Sequence, residues 1–495
     1  MMRNTLLYRK LYNAERKEEP HMDGAWVADL QALLGHDRVI TDNATRAQRA
    51  TDTWPLRLVQ RVVGAELPTP ACVVRPQSVP EVAGALRFLY NQGIAVVPYG
   101  GGSGVTGGAQ PPAGAVALDM GALDGILHID EENLTVTAQA GVLLAKLEAW
   151  LGRKGYTTGH YPQSIDLAQL GGLVATRSAG QFSTKYGNIE DLLVGLEAVL
   201  PDGTIARAGP VPRWAAGPDL RGLWLGSEGA FGVITEVTLK IVPKPAGRWL
   251  QAYAVPSVRD GLMIIQGIMR EGWRPAVVRL HDRTEAERSY PDTVGESESL
   301  LLLLSEGPTT YATAEGAAID AIAQVGGARP LGPGPVEKWL EHRNDVHLFD
   351  QLTAMGIIVD TIEVAAGWDR IGDIYEQVTG RIRQEIPEVL VISGHSSHSY
   401  PQGTNLYFIW AAQPPRDPAE VERVYGSVWQ RVMETTLACG GHIVHHHGIG
   451  RLRAPWMPRQ LGTAYPLLTA LKQTLDPRGL MNPGALLPQG GGEQM

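Results

Sequence analysis

At 495 residues the chain exceeds what one ordinary hydrophobic core can organise, so two or three domains are expected. Its 44% hydrophobic and 19% charged residues describe a globular protein, and a formal net charge of −9 argues against nucleic acid as its main partner. Only two cysteines occur, Cys72 and Cys439, which excludes a disulfide framework and fits a cytoplasmic location.

Residues 1–20 are charged and have no apolar stretch of the secretory type, so they read as a frayed extension, or as sequence before a true start at Met22. The piece 6–11 leaves room for peripheral membrane contact. No apolar run is long enough to span a bilayer; 300–304 is the densest. Residues 23–65 read as short helices that, with the extension, make up a first segment, 1–65. A strand over 71–74 precedes a helix that Ser78 caps, with Glu81 as capping-box partner and Gly93 as its end. Strands follow over 94–97 and 115–118, and a hairpin over 126–129 and 134–138. Leu143, Leu144, Leu147, Trp150 and Leu151 recur at helical spacing. A second hairpin joins 193–200 to 204–207, and a long strand over 233–242 is broken by Pro243 and Pro245. That proline pair marks the end of a domain spanning 66–245. Residues 246–440 alternate strands and helices in an α+β pattern, with an internal break expected near 330–335. Residues 441–495 read as loops and one helix (464–475) that return to a site, ending in a disordered tail at 490–492.

The loop Pro98-Tyr99-Gly100-Gly101-Gly102-Ser103-Gly104, which runs on to Gly108, places backbone N–H groups where an anion can approach them. Gly102 to Gly107 has the spacing of a Rossmann fingerprint, but that motif must open a helix, and Pro111-Pro112 follows instead. A diphosphate-binding loop without a helix remains, beside a purely structural turn. Three further small-residue segments stand in the same domain: 158–164, 171–180 and 226–234.

In content, order and spacing the four segments resemble the FAD-binding domain of the vanillyl-alcohol oxidase (PCMH-type) family. The resemblance implies an α+β fold: an FAD-binding domain of two α+β subdomains, an α+β substrate or cap domain, and a C-terminal segment returning to the flavin. It implies that residues 98–104 wrap the pyrophosphate. Gln163, Ser164, Ile165, Asp166, Leu167, Ala168 and Gln169, with Thr176, Arg177, Ser178 and Ala179, would line the flavin. Glu228, Gly229, Ala230, Phe231, Gly232, Val233 and Ile234 would lie along the nucleotide, and His160 and Asn482 by the ring. The first loop holds no histidine, so FAD is expected to be noncovalent.

Six of thirteen histidines fall between 395 and 447: His395, His398, His442, His445, His446 and His447. Imidazoles suit proton transfer or metals near neutral pH. D-2-hydroxyacid dehydrogenases of this superfamily carry Glu-His-Gly-Ile-Gly and a His-x-His metal motif. This chain has His446-His447-Gly448-Ile449-Gly450 and no His-x-His apart from the triple histidine itself, so no metal is expected. Its triple histidine resembles the alkyldihydroxyacetonephosphate synthases, as do Gly159-His160, residues 186–192, Arg451-Leu452-Arg453 and the segment around Tyr407. Tyr161 and Gln163 stand where the synthases carry carboxylates, and residues 346–349 also depart from their pattern.

The resemblance implies exchange of the acyl group of acyl-dihydroxyacetone phosphate for a long-chain alcohol, through a flavin N5 adduct and without net oxidation. Tyr407 would be the acid/base, His445, His446 and His447 its partners, and Arg343 the substrate-binding arginine; Arg279, which strand alternation points to one face, is a second candidate for the phosphate. Oxidation of a D-2-hydroxy acid is the alternative, and a non-catalytic flavoprotein the third reading. The partner is then a small-molecule or lipid-like substrate, with a homodimer left open.

Overall fold

The structure is a computed structural model, describing residues 25–488 apart from residue 292. The expectations for 1–22 and for 490–492 lie outside the described residues.

Short β-branched runs with both faces covered form the first sheet. Its order is Val39–Ile40, Cys72–Val74, Val116–Asp119, Val96–Tyr99, the last three parallel. Helix Val79–Gln92 covers it. Ser78 Oγ accepts the Glu81 N–H, and Gly93 closes the helix at φ +76°. The Glu81 carboxylate takes the Gln77 N–H at 2.7 Å, one residue before the cap whose N–H a capping box engages.

The second sheet is antiparallel in the order Ile126–Asp130, Thr135–Gln139, Val233–Lys240, Leu193–Val199, Ile205–Ala208. Both expected hairpins are present in it. The glycine-rich loop leaves the end of Val96–Tyr99 in the first sheet, and residues 226–232 lead into Val233–Lys240 in the second. The two α+β layers therefore deliver the small-residue segments toward one another.

After Val242–Pro243 the chain enters a larger antiparallel sheet at Gly247–Val255. Its order is Arg329–Gly332, Gly247–Val255, Ser299–Gly307, Val277–His281, Val389–Ser396, Gly403–Ala412, Ile358–Gly367, with Ser399–Tyr400 beside Gly403–Ala412. Ser299–Gly307 is buried at all nine positions, which accounts for the dense apolar run at 300–304. Helices Val258–Arg270, Trp368–Glu385 and Pro418–Ala438 pack on one face of this sheet. No helix among the described residues is long and apolar enough to cross a membrane.

Two expectations need correction. There is no break at 330–335: Arg329–Gly332 is an edge strand paired with Ala252–Ala254, and helix Gly334–His342 follows at once. Proline is compatible with an edge strand and with the first turn of a helix, the two places it occupies here. The C-terminal segment holds a second short helix, Met457–Leu461, beside Tyr465–Leu475, and it too starts on a proline.

A buried polar contact ties the N-terminal helices to the large sheet. Trp54 Nε1 donates to Tyr425 Oη at 3.1 Å, and Tyr425 donates to the Asp360 carboxylate at 2.6 Å. Asp360 also accepts from Trp429 Nε1, and burial pushes its carboxyl up to about 6. Tyr425→Phe leaves a buried indole N–H without its acceptor and is expected to cost about 1–3 kcal/mol in denaturant unfolding.

Candidate active site

The opposite face of the large sheet carries a buried polar row. His281 pairs with His395, His395 with Tyr407, and Tyr407 with Glu363, across four adjacent strands. Cross-strand partners share a face, so one rung presents two imidazoles, a phenol and a carboxylate side by side. Arg279 stands on the same face two residues before His281, as strand alternation predicts, while Val278 and Leu280 enter the core.

The triple-histidine loop is suspended over this row by Glu363. One oxygen of its carboxylate accepts the N–H of His445, His446 and His447 at 3.2, 3.0 and 2.7 Å. The other binds Arg453 Nη2, and both residues are fully buried. Burial alone would push the Glu363 carboxyl up, but Arg453, His447 and the amides hold it below its ordinary value. From the FAD-binding side, Glu228 accepts the N–H of Ile449 and Gly450 at 2.6 and 2.7 Å, and burial pushes its carboxyl up to about 7. Sequence reasoning had placed Glu228 along the nucleotide and had not singled out Glu363. Neither role has a local signature, because each carboxylate is more than 80 residues from the amides it binds.

The loop so held brings His446 Nε2 to 2.8 Å and His447 Nε2 to 2.7 Å from Tyr407 Oη. His446 Nδ1 lies 2.8 Å from His445 Nδ1, His445 Nε2 lies 2.9 Å from Tyr400 Oη, and Asn188 donates to Tyr400 Oη at 2.8 Å. Tyr407, His446, His445 and Tyr400 thus form a continuous hydrogen-bonded file. Burial, with Glu363 adding to it, raises the Tyr407 phenol, so it is protonated at neutral pH. Burial also lowers all three imidazoles, His445 to about 4, which leaves them neutral. His398, stacked on His445, accepts or donates at Nδ1 to Ser183 Oγ at 2.6 Å. His398, His445 and His446 each offer a ring nitrogen within 4.8 Å of the others, a donor set close enough for a metal ion.

The segments expected to hold FAD converge on one another. A Cβ on Gly101 would stand 1.8 Å from the Leu167 carbonyl oxygen, so only glycine lets these two loops meet. Gly102 turns at φ +68° against Tyr99. Asn482 Nδ2 joins the carbonyls of Gly108 and Glu228 at 2.7 and 2.6 Å. His160 is fully buried on Ser178 Oγ at 2.7 Å, and burial depresses it to about 3. Gln169 Oε1, His160 Nδ1 and Asn482 Oδ1 are buried without a protein partner, as polar groups facing a ligand would be. The residues present therefore fit FAD. Some expected contacts are committed elsewhere: Arg177 pairs with Glu190 at the surface, and Phe231, Val233 and Ile234 pack into hydrophobic cores.

The two candidate arginines stand apart. Arg343 caps helix Gly334–His342, lies over Phe182, and lines a cavity of about 360 Å³ with Tyr161, Arg248, Leu340 and Glu341. Arg279 lies over Trp339, beside His395, with the Phe182–Trp339 aromatic pair between the two guanidinium groups.

Glu363→Gln leaves Arg453 buried without its counter-charge and is expected to cost about 3–5 kcal/mol of stability, read from denaturant unfolding. Because the native carboxyl lies below its ordinary value of 4.5, its contribution is present above that pH and is lost as pH falls through the native value. Acid precipitation of the holoprotein should release all FAD into the supernatant.

Comparison with known proteins places this geometry. A family model described as an FAD-binding domain matches residues 70–209, and one described as the C-terminal domain of FAD linked oxidases matches 244–486. The chain is 40% identical to a FAD-linked oxidoreductase, YgcU, of Escherichia coli O157:H7, over 94% of this chain and 98% of that one. It is 30% identical to an alkyldihydroxyacetonephosphate synthase of Caenorhabditis elegans, over 83% of this chain and 75% of that one. A solved alkyldihydroxyacetonephosphate synthase superimposes with a TM-score of 0.79 at 24% identity, over 94% of this chain and 86% of that one. The chain belongs to the PCMH-type FAD-linked oxidase superfamily, in which it is a homologue of the alkyldihydroxyacetonephosphate synthases, and FAD is its cofactor.

Proposed function

We propose that the chain exchanges the acyl group of acyl-dihydroxyacetone phosphate, or a close lipid-like ester, for a long-chain alcohol. The observation that carries this reading is the Tyr407 hydroxyl held between His446 and His447 at the head of a neutral file. In the exchange a carbon–oxygen bond to the carboxylate breaks and one to the alcohol forms. The fatty acid leaves with the alcohol's proton, so the reaction is redox-neutral. Bound FAD supplies an electron-deficient ring that can accept an electron pair from the substrate carbon.

The chain's own residues handle protons and anions. Tyr407 takes a proton from the carbon beside the ketone as its own passes to His446 Nε2, and His445 and Tyr400 continue the path. His447 holds the phenol in line from the other side. Arg279 engages the phosphate near Tyr407, while Arg343 and its cavity receive a more distal part of the substrate. The alternative, FAD-linked oxidation of a D-2-hydroxy acid, draws support from the FAD-linked oxidase relatives and uses the same Tyr407 and histidines as base.

Labelled long-chain alcohol should enter acyl-dihydroxyacetone phosphate with the wild-type holoenzyme, and Tyr407→Phe should lower that rate about 100-fold or more while FAD is retained. Rapid anaerobic bleaching of the flavin by D-lactate, glycolate or D-2-hydroxyglutarate would replace this reading with the oxidative one.

A further inference from the structure

Beside Tyr407 lies a second set of groups outside the proton file: the buried Glu285, His281 and His395, and the half-buried Arg279. Their contacts admit one protonation pattern. Arg279 Nε–H donates to His281 Nε2 at 3.1 Å, and its Nη2–H donates to His395 Nε2 at 2.9 Å. A guanidinium has no acceptor, so both Nε2 atoms present lone pairs and each ring carries its proton on Nδ1. The two Nδ1 atoms lie against the two oxygens of one carboxylate: His395 is hydrogen-bonded to Glu285 Oε2 at 2.8 Å, and His281, whose Nδ1 is 2.9 Å from Oε1 but out of hydrogen-bond alignment, has no other partner there.

Burial would push the Glu285 carboxyl up, but His395 and His281 hold it well below the usual range. Burial, aided by Arg279, pushes His395 down to about 4. The set is a carboxylate and a guanidinium joined through two neutral rings. Every member is fixed by backbone. His281 and His395 are cross-strand partners, and Glu285 sits in the first turn of helix Arg283–Ser289. The Asp282 cap of that helix also ties down Gly394 N and Tyr375 Oη.

Two well-packed apolar side chains would stabilise this face at least as well as two desolvated charges. What the arrangement yields instead is a guanidinium of fixed orientation. Among the described residues Arg279 Nη1 makes no hydrogen bond to protein, and the group lies 5.7 Å from the centre of the Trp339 ring.

We propose that Glu285, His281 and His395 are positioning residues that lock Arg279, so that its unengaged edge binds the oxyanion of the substrate, phosphate or carboxylate, beside Tyr407. The proposal rests on the reading that the reaction occurs at Tyr407, and it extends that reading to the set that orients the anion anchor.

Glu285→Gln is the discriminating change. A glutamine amide must donate toward one of the two rings, which moves that ring's proton to Nε2 and sets N–H against the N–H of Arg279. FAD-loaded enzyme is titrated with sn-glycerol 3-phosphate and, in a separate arm, with D-lactate, following the flavin absorbance. The wild type is expected to bind one of the two, and the arm that responds names phosphate or carboxylate. Glu285→Gln should weaken that binding about 10-fold or more with FAD content retained. In an Arg279→Met background the same change should cost nothing further, because its effect passes through Arg279.

Unchanged affinity in Glu285→Gln, additive losses in the double variant, or no binding of either anion by the wild type would each overturn the proposal, whatever the exchange assay gives. Should Glu285→Gln fail to load FAD, nitrogen-15 spectra of the wild-type holoenzyme decide. Nδ1–H tautomers of His281 and His395 support the lock, and an Nε2–H tautomer in either ring overturns it.

Discussion

The site depends on one buried carboxylate. Glu363 gathers three successive amide N–H groups and the Arg453 guanidinium in the middle of strand Ile358–Gly367, with no access to water. A carboxylate in such a place is tolerable only when every lone pair is used and its charge is balanced. The demand runs both ways: amides in a loop too short for its own ladder need an acceptor, and the carboxylate needs donors. Meeting both fixes the backbone of His445, His446 and His447 above the Tyr407 rung. Glu228 makes the same bargain for Ile449 and Gly450 from the opposite side. One loop is therefore clamped between the FAD-binding sheets and the large sheet, which fixes the file of side chains in place.

Charge around the site follows from that burial. The two ion pairs close to Tyr407, Glu363 with Arg453 and Glu285 with Arg279 through two imidazoles, are each balanced. The other titratable groups there are neutral: burial lowers His445, His446, His447 and His398, and raises Tyr407. A proton that enters this neutral file makes one of its imidazoles cationic, and Glu363, which favours the charged form of His445, is the carboxylate placed to balance it. The positive edge of Arg279 is the one place where the balanced arrangement presents a charge outward, because its carboxylate lies behind the two rings.

Much of the first domain could be read from the sequence because its signals are local. The Ser78 cap, the Gly93 stop, both hairpins and the glycine loop each depend on residues a few positions apart. The histidine cluster and the outward face of Arg279 were legible for the same reason. Glu363, Glu285 and Glu228 were not, because each acquires its meaning from strand register or from a loop more than 80 residues away. A row such as His281, His395, Tyr407 and Glu363 spans four strands that are not consecutive in sequence, and a shift of one residue in any pairing would dissolve it. The expected break at 330–335 failed for a different reason: prolines that punctuate a chain also suit edge strands and first helical turns.

The position of His446 supports the proposed redox-neutral exchange by a physical argument. In the D-2-hydroxyacid dehydrogenases that the motif otherwise resembles, a glutamate stands there. A carboxylate at that point would add a second negative charge beside Tyr407, on top of Glu363, and would end the file. An imidazole has a second nitrogen, and here that nitrogen meets His445. The difference matters for what becomes of the proton. An oxidation sheds it, and a strong acceptor with access to solvent suffices. An exchange at a carbon that must regain its proton needs a store from which the proton returns readily, which neutral groups of comparable affinity provide. The file from Tyr407 through His446 and His445 to Tyr400 has the character that the proposed exchange requires.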